Sequence, residues 1–224
     1  MKFFHGGNWW FPDHEQHLQE WILTMRQQVP GDRLGYQVHK YKKALEHVKQ
    51  RRTAVDIGGH VGLWSWPMSH DFDLVIAFEP MPEHIECWEK NMEGIDNAVC
   101  LQTALGNQKG SAFCFTRTPD SSGDTGISLT GDGIEVQMST LDSYEMNDVD
   151  FIKVDCEGYE LFILQGAEET LLRNKPCVIV EQKPETGMED RYSIGTLDAV
   201  RYLESLGAKL RCGIQGDYIL SWDY

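Results

Sequence analysis

The chain has no long apolar run; the longest is Leu74-Val75-Ile76-Ala77-Phe78, five residues. A membrane-crossing helix needs about 20, so none is expected. A secretory leader is not expected either, because Met1-Lys2-Phe3-Phe4 meets His5-Gly6-Gly7-Asn8 at once. No cluster of five or more Lys/Arg occurs, and 20 basic residues face 35 acidic ones, a formal net charge of −15. That balance disfavours tight, salt-sensitive binding along a nucleic-acid backbone. There is no CxxC pair among Cys87, Cys100, Cys114, Cys156, Cys177 and Cys212. They read as small buried hydrophobes in a reducing cytoplasm, in place of disulfides or a zinc site. Repeats and low-complexity tracts are absent too. What remains is a soluble globular composition, 41% hydrophobic and 25% charged over 224 residues. A chain of this length holds one domain with or without a small appendage, and buries roughly 70% of its unfolded surface.

The first fifty residues read as helical. Asp13 caps a helix with Gln16 as its capping-box partner, and Leu18, Trp21, Ile22 and Met25 follow at i, i+3, i+4, i+7. Pro30-Gly31-Asp32 stops it, and a second helix carries Tyr41, Ala44, Leu45 and Val48. From Thr53 onward, strands alternate with helices. Apolar strands are read at 53–57, 74–78, 98–101, 150–154 and 177–180, with two closing strands near 208–212 and 218–222. Helices begin at Pro82 (inner stripe Ile85, Trp88, Met92), follow Val154 (Leu161, Leu164, Ala167, Leu171), and carry Leu197, Val200 and Leu203 up to Gly207. Short continuous apolar strands of this kind are buried on both faces of a parallel sheet, which gives a doubly wound α/β fold. Ser111–Thr116 and Ile134–Thr140 break the alternation and read as an antiparallel insert, joined by the polar loop 119–133.

Val55-Asp56-Ile57-Gly58-Gly59-His60-Val61-Gly62 ends a strand and opens a helix, the place where such folds hold ligands. The GxGxxG dinucleotide fingerprint fails, because His60 stands at the second glycine position. The pattern present is DxGxxxG. Its acid, Asp56, would repel a pyrophosphate and attract a cationic amino-acid head group. S-adenosylmethionine has such a group and carries no phosphate. Glu79 lies 23 residues after Asp56 at the end of the next strand, where an acid can bond both ribose hydroxyls.

The motifs VDIGGHVG, AFEPMP, TALGNQKG, STLDSY and FIKVDCEGYELFILQGA follow in that order. Over roughly Thr53 to Gln182 the chain thereby resembles the FkbM family of class I methyltransferases. The resemblance implies a Rossmann-like α/β fold: a seven-stranded, mostly parallel sheet with the last strand antiparallel and helices on both faces. It implies a class I methyltransferase domain over 51–224, within which the antiparallel insert read above falls at about 107–140; the family says little about residues 1–50, read above as a helical cap. It also implies S-adenosylmethionine as donor, S-adenosylhomocysteine as product, and a hydroxyl acceptor on a saccharide or similar small molecule. By the same resemblance Asp56, Gly58, Gly59, His60 and Gly62 form the donor loop. Glu79-Pro80 holds the ribose, and Thr103-Ala104-Leu105 meets the adenine. The family often has Asn where His60 stands.

Methyl transfer to a hydroxyl needs the acceptor positioned, water excluded and a proton removed. Asp155 and Glu157 follow the fourth strand; Glu181 and Gln182 end the fifth. Both ends belong on the donor rim. Asp155, Glu157, Glu181 and His60 are therefore the candidate catalytic groups, with Asp155 also placed beside the donor. Asp155, Glu181 and Gln182 offer hard oxygens suited to Mg²⁺ or Mn²⁺; metal-free carboxylates serving as base and substrate clamp are the other reading. Lys153, on the face of Asp155, needs a carboxylate partner. Tyr36 and Gln37 are candidates to border the pocket. Trp9, Trp10 and Phe11 form either a stacking wall or an N-terminal packing anchor. A nucleotide or nucleic-acid methyltransferase and a donor-binding protein without turnover remain as alternatives; no NPPY-like motif is evident. Oligomeric state is not legible.

Overall fold

The computed structural model describes residues 1–223. In chain order it contains β1 (Lys2–Phe4), β2 (Trp9–Phe11), α1 (His17–Met25), β3 (Gln27–Val29), β4 (Arg33–Gly35) and α2 (Val38–Leu45). Then come β5 (Thr53–Ile57), α3 (Ser65–Asp71), β6 (Leu74–Phe78), α4 (Pro82–Asn91), β7 (Ala98–Leu101) and β8 (Ala104–Leu105). The insert supplies β9 (Gly110–Thr116), β10 (Thr125–Ser128) and β11 (Ile134–Ser139). The chain closes with β12 (Val149–Val154), α5 (Glu160–Gln165), α6 (Glu168–Asn174), β13 (Cys177–Glu181), α7 (Met188–Tyr192), α8 (Asp198–Ser205), β14 (Lys209–Ile214) and β15 (Asp217–Ser221).

The main sheet has seven strands in the order β14-β15-β13-β12-β5-β6-β7. Strands β13, β12, β5, β6 and β7 are parallel, and β15 runs against both neighbours. This is the class I methyltransferase architecture the motifs imply. The inner strands have few polar residues because both faces are covered: every residue of β5 and of β13 is buried. Alternation divides them between two cores, Val55 and Ile57 on one face and Ala54 on the other. In α4 the buried face is His84, Cys87, Trp88 and Asn91, so Ile85 lies at its margin.

The N-terminal fifty residues are only partly helical. They hold two three-residue hairpins, β1–β2 and β3–β4, around two short helices. Pro30-Gly31-Asp32, read as a helix stop, is the tip of the second hairpin; Gly31 and Asp32 adopt φ of +77° and +56°. Strands of three residues are too short to show a period of two, which is why the helix pattern stood out. Asp13 does not cap α1; it pairs with the N-terminal amine at 3.1 Å. The Glu15 carboxylate accepts from the Leu18 N–H at 2.7 Å instead. Trp9, Phe11, Leu18 and Ile22 bury against Trp66, Ala77 and Trp88 of the main fold. The aromatic run thus packs: Trp9 and Phe11 are fully buried in that core. All six cysteines are free.

The insert is a four-stranded sheet, β10-β9-β11-β8. The loop 119–133 contains β10, and Ala104-Leu105 forms an edge strand parallel to β11. This sheet stands over the carboxyl ends of β5, β6 and β12 and walls a cavity there.

Candidate active site

The cavity is about 640 Å³, within the usual range for small-molecule sites. Its floor is the turn after β5. Gly58 has φ +78°, and a Cβ there would stand 2.1 Å from the Asp155 carbonyl oxygen, so only glycine fits. The Gly58 and Gly59 N–H groups both donate to the Phe78 carbonyl at 3.0 Å, tying the turn to β6. From below, Lys153 Nζ donates to the Gly58 carbonyl at 2.7 Å.

Glu79, at the end of β6, is 5% exposed and lines the cavity. Its Oε2 accepts from His60 N–H at 2.8 Å; its Oε1 accepts from Met81 N–H at 3.0 Å and His84 Nδ1 at 3.1 Å. Burial alone would raise the Glu79 pKa. His84 and these backbone donors outweigh it and hold the carboxylate below its ordinary range. The His60 ring meets His84 edge-on at 4.5 Å, and its Nε2 meets Ser122 Oγ at 2.8 Å. Burial, then His84, lowers the His60 pKa well below its ordinary value, so the ring is neutral.

At the carboxyl ends of β12 and β13, Asp155, Glu157 and Glu181 bring one oxygen each within 4.8 Å of one another. Burial raises the Glu157 pKa to about 8, helped by Asp155 and opposed by the Arg117 guanidinium that contacts it. Burial and Asp155 likewise push Glu181 up, against Lys183, which contacts its Oε1. Asp155 is the ionised member: burial would raise it, and Lys153 and Lys183 together hold it low. Burial would lower Lys153; Asp56 at 3.4 Å and Asp155 at 4.0 Å outweigh it and keep the ammonium charged. The predicted carboxylate partner of Lys153 is thus present twice over.

Residues 56–210 match the family described as methyltransferase FkbM domain. The chain belongs to the FkbM methyltransferase family. Comparison with curated proteins returns no matching sequence. Among solved structures, the chain resembles methyltransferase FkbM from Methylobacillus flagellatus KT at 17% identity and a TM-score of 0.50. That likeness covers 77% of this chain and 44% of the other, so the chain spans less than half the length of that relative. A precorrin-6y C5,15-methyltransferase from Geobacter metallireducens GS-15 is similar at 14% identity and a TM-score of 0.49, over 84% and 89% of the two chains. A Streptococcus mutans protein in complex with SAH is similar at 12% and 0.49, over 83% and 96%. At such distances the likeness concerns the fold and says nothing of the acceptor.

Of the residues expected at the FkbM donor site, Gly58, Gly59, His60, Glu79, Pro80, Thr103, Ala104, Leu105 and Asp155 line the cavity, together with Glu157 and Glu181. Two expected donor residues, Asp56 and Gly62, do not, and neither does Gln182, expected in the metal set. Asp56 is 0% exposed behind the wall, where it accepts from Ser65 Oγ at 2.6 Å; its burial raises its pKa against the pull of Lys153. It steadies the turn from behind and cannot face a head group. Gly62 (φ +91°) turns the chain toward α3, and a Cβ there would press on Trp88 at 3.1 Å. Gln182 faces away: its Oε1 accepts from Ala199 N–H at 3.1 Å and its Nε2 donates to the Glu181 carbonyl at 2.9 Å. The expected metal set Asp155, Glu181 and Gln182 therefore does not assemble. The trio that does, with Glu157 in place of Gln182, already faces Arg117, Lys153 and Lys183 as counter-charges, so it does not fit Mg²⁺ or Mn²⁺.

Tyr36 borders the cavity, whereas Gln37 bonds Trp64 Nε1 at 3.2 Å. Sequence reasoning missed Glu15, His84, Arg117, Ser122 and Lys183. Of these, only His84 carried a local signal, sitting in the first turn of the helix that follows Glu79.

Proposed function

We propose that this FkbM domain transfers a methyl group from S-adenosylmethionine to a hydroxyl of a small, uncharged, saccharide-like acceptor. The observation that carries the reading is the charge of the cavity. Among the described residues seven acidic side chains line it, Glu79, Asp120, Asp124, Asp155, Glu157, Glu181 and Glu185, of which Glu157 and Glu181 are pushed toward the protonated form, against three cations, Arg117, Lys153 and Lys183. Each cation is already paired with a carboxylate. Such a wall attracts a sulfonium and an ammonium, repels phosphodiesters, and offers many acceptors to a polyhydroxylated molecule.

The residues fit the donor. Gly58 and Gly59 present bare main chain, Glu79 offers a carboxylate to the ribose, and the apolar side chains of Phe78, Ala104 and Leu105 offer a surface for the base. Asp155, ionised and partly open to the cavity, takes the role expected of Asp56 toward the amino-acid head group. When bound, S-adenosylmethionine supplies a methyl already activated on sulfur. The protein's share is then positioning, exclusion of water and removal of one proton. In such a transfer the acceptor oxygen would bond the methyl carbon as its bond to sulfur broke, the electron pair staying on sulfur, and the chain's own residues would have to hold that oxygen in line with the donor. The hydroxyl proton passes to Glu157 of the Asp155–Glu157–Glu181 cluster, whose burial beside Asp155 raises its pKa to about 8 and so keeps its proton affinity near neutrality.

Calorimetry with S-adenosylhomocysteine tests the donor site. Glu79→Ala is expected to weaken binding by roughly 10- to 100-fold, the equivalent of one hydrogen bond to a charged group. Unchanged affinity refutes the assignment. For the acceptor, methyl-labelled donor is offered with a panel of neutral saccharides and with RNA. Label in the saccharide fraction supports the reading, and label in RNA alone overturns it.

A further inference from the structure

We propose that His84 is a second ligand to the sugar of the bound nucleoside, dividing the ribose diol with Glu79. This rests on the donor reading above. A carboxylate has about four acceptor positions. In Glu79 three are taken, by the Met81 N–H and His84 Nδ1–H on Oε1 and by the His60 N–H on Oε2. One position is left, on Oε2. A ribose presents two adjacent hydroxyls, and the second must find a partner elsewhere.

His84 supplies it. The residue is 1% exposed, it lines the cavity, and its Nε2 has no hydrogen-bond partner among the described residues. Glu79 can only accept, which assigns the shared proton to Nδ1 of His84. That leaves Nε2 as the ring's unpartnered nitrogen among the described residues, able to bond a hydroxyl with or without a proton of its own. A buried polar nitrogen without a partner costs free energy that a ligand hydroxyl recovers. The placement is fixed by the backbone: Glu79 follows β6, Pro82 opens α4, and the first turn sets the ring against the carboxylate. His60 closes the other side of the ring edge-on at 4.5 Å. The sugar is thus read by two side chains joined to each other, each taking one hydroxyl.

The test is calorimetry of S-adenosylhomocysteine and its 2′-deoxy and 3′-deoxy analogues on the wild type and on His84→Asn. Asparagine keeps an N–H donor near Nδ1 and places no atom at Nε2. The variant is expected to bind S-adenosylhomocysteine about 5- to 20-fold more weakly, the loss of one ordinary hydrogen bond or a little more. For one of the two deoxy analogues the substitution should cost nothing, because the hydroxyl that met His84 is gone. Unchanged affinity for the parent ligand, or an equal loss for all three, overturns the proposal. A measurement on the unaltered protein needs no variant: the His84 Nε2 nitrogen resonance should move on titration with S-adenosylhomocysteine and move less with one deoxy analogue. A wild type that binds the ligand while that resonance stays still overturns the His84 assignment alone. A wild type that binds none of the three overturns the donor reading and this proposal with it.

Discussion

Removing the Glu15 carboxylate tests how the cavity is roofed. Glu15 is 0% exposed and accepts three hydrogen bonds: Leu18 N–H at 2.7 Å, Ser122 N–H at 2.6 Å and Ser122 O–H at 2.5 Å. The two bonds to Ser122 cross 107 positions of sequence and pin the loop above the cavity to the N-terminal segment. The Asp120 carbonyl strengthens the same seam by accepting from the Gln16 and His17 N–H groups. Hydrogen bonds to a charged group are each worth about 1.5–3 kcal/mol, and the two to Ser122 end on a residue that is 0% exposed. Glu15→Ala strands those donors but also removes the cost of burying a carboxylate. The net loss of stability is therefore set at about 2–4 kcal/mol. Urea unfolding at pH 7 measures it. Glu15→Gln retains one acceptor oxygen and should lose about half as much. In the Ala variant the peptide bond after Arg117 should also become sensitive to trypsin, since the loop has lost its tether. A loss under about 1 kcal/mol, with the loop still resistant, would refute the idea that this carboxylate holds the roof.

Two further outcomes follow from the geometry. Gly58→Ala must adopt φ +78° and press a methyl to 2.1 Å from the Asp155 carbonyl. It should lose at least the ~1–2 kcal/mol of a left-handed non-glycine residue and should no longer bind S-adenosylhomocysteine by calorimetry; retained binding would mean that the turn is not the donor floor. Glu157 is pushed up to about 8 in the folded chain, above its ordinary 4.5. Its contribution to stability is thus full below the ordinary carboxyl range and lost as pH rises through about 8. Urea midpoints should fall between pH 6 and 9 and fall less in Glu157→Gln; parallel slopes for the two proteins would defeat the argument.

The sheet was legible because its strands are short, apolar and bounded by polar or turn-forming residues. Leu74–Phe78 and Ala98–Leu101 appear with the bounds read from the pattern. The glycine turn and Glu79 were legible for a similar reason: both depend on residues adjacent in sequence to a strand end. What failed was whatever depends on side-chain direction or on distant partners. Asp56 and Gln182 occupy the expected strand ends, yet Ser65 and Ala199, 9 and 17 residues away, turn them from the cavity. Glu15 and Ser122 had no pattern to read, since nothing local links position 15 to position 122. The hairpins at 2–11 and 27–35 were hidden by their brevity.

The division between the legible and the illegible also bears on acceptor choice. The family match starts at residue 56, and the donor floor, Glu79 and the carboxylate cluster all lie inside it. His17, Leu18 and Tyr36 lie before it and still line the same cavity. The roof loop that carries Arg117 and Ser122 lies inside the match but is held shut from outside it, by Glu15. Donor binding can therefore be common to chains that share the matched region, because its parts are local and self-contained. The space left for the acceptor cannot be common in that way. Its rim is set by packing between residues 1–45 and the insert, through the contacts of Glu15, Gln16 and His17. Two FkbM domains with the same strand-end residues and different N-terminal segments would thus present the same methyl to cavities of different shape. In this chain His60 and Ser122 meet at 2.8 Å on the wall of that cavity, and Asp120 and Asp124 of the same loop line it too, so the segment that sets the rim also sets part of its charge.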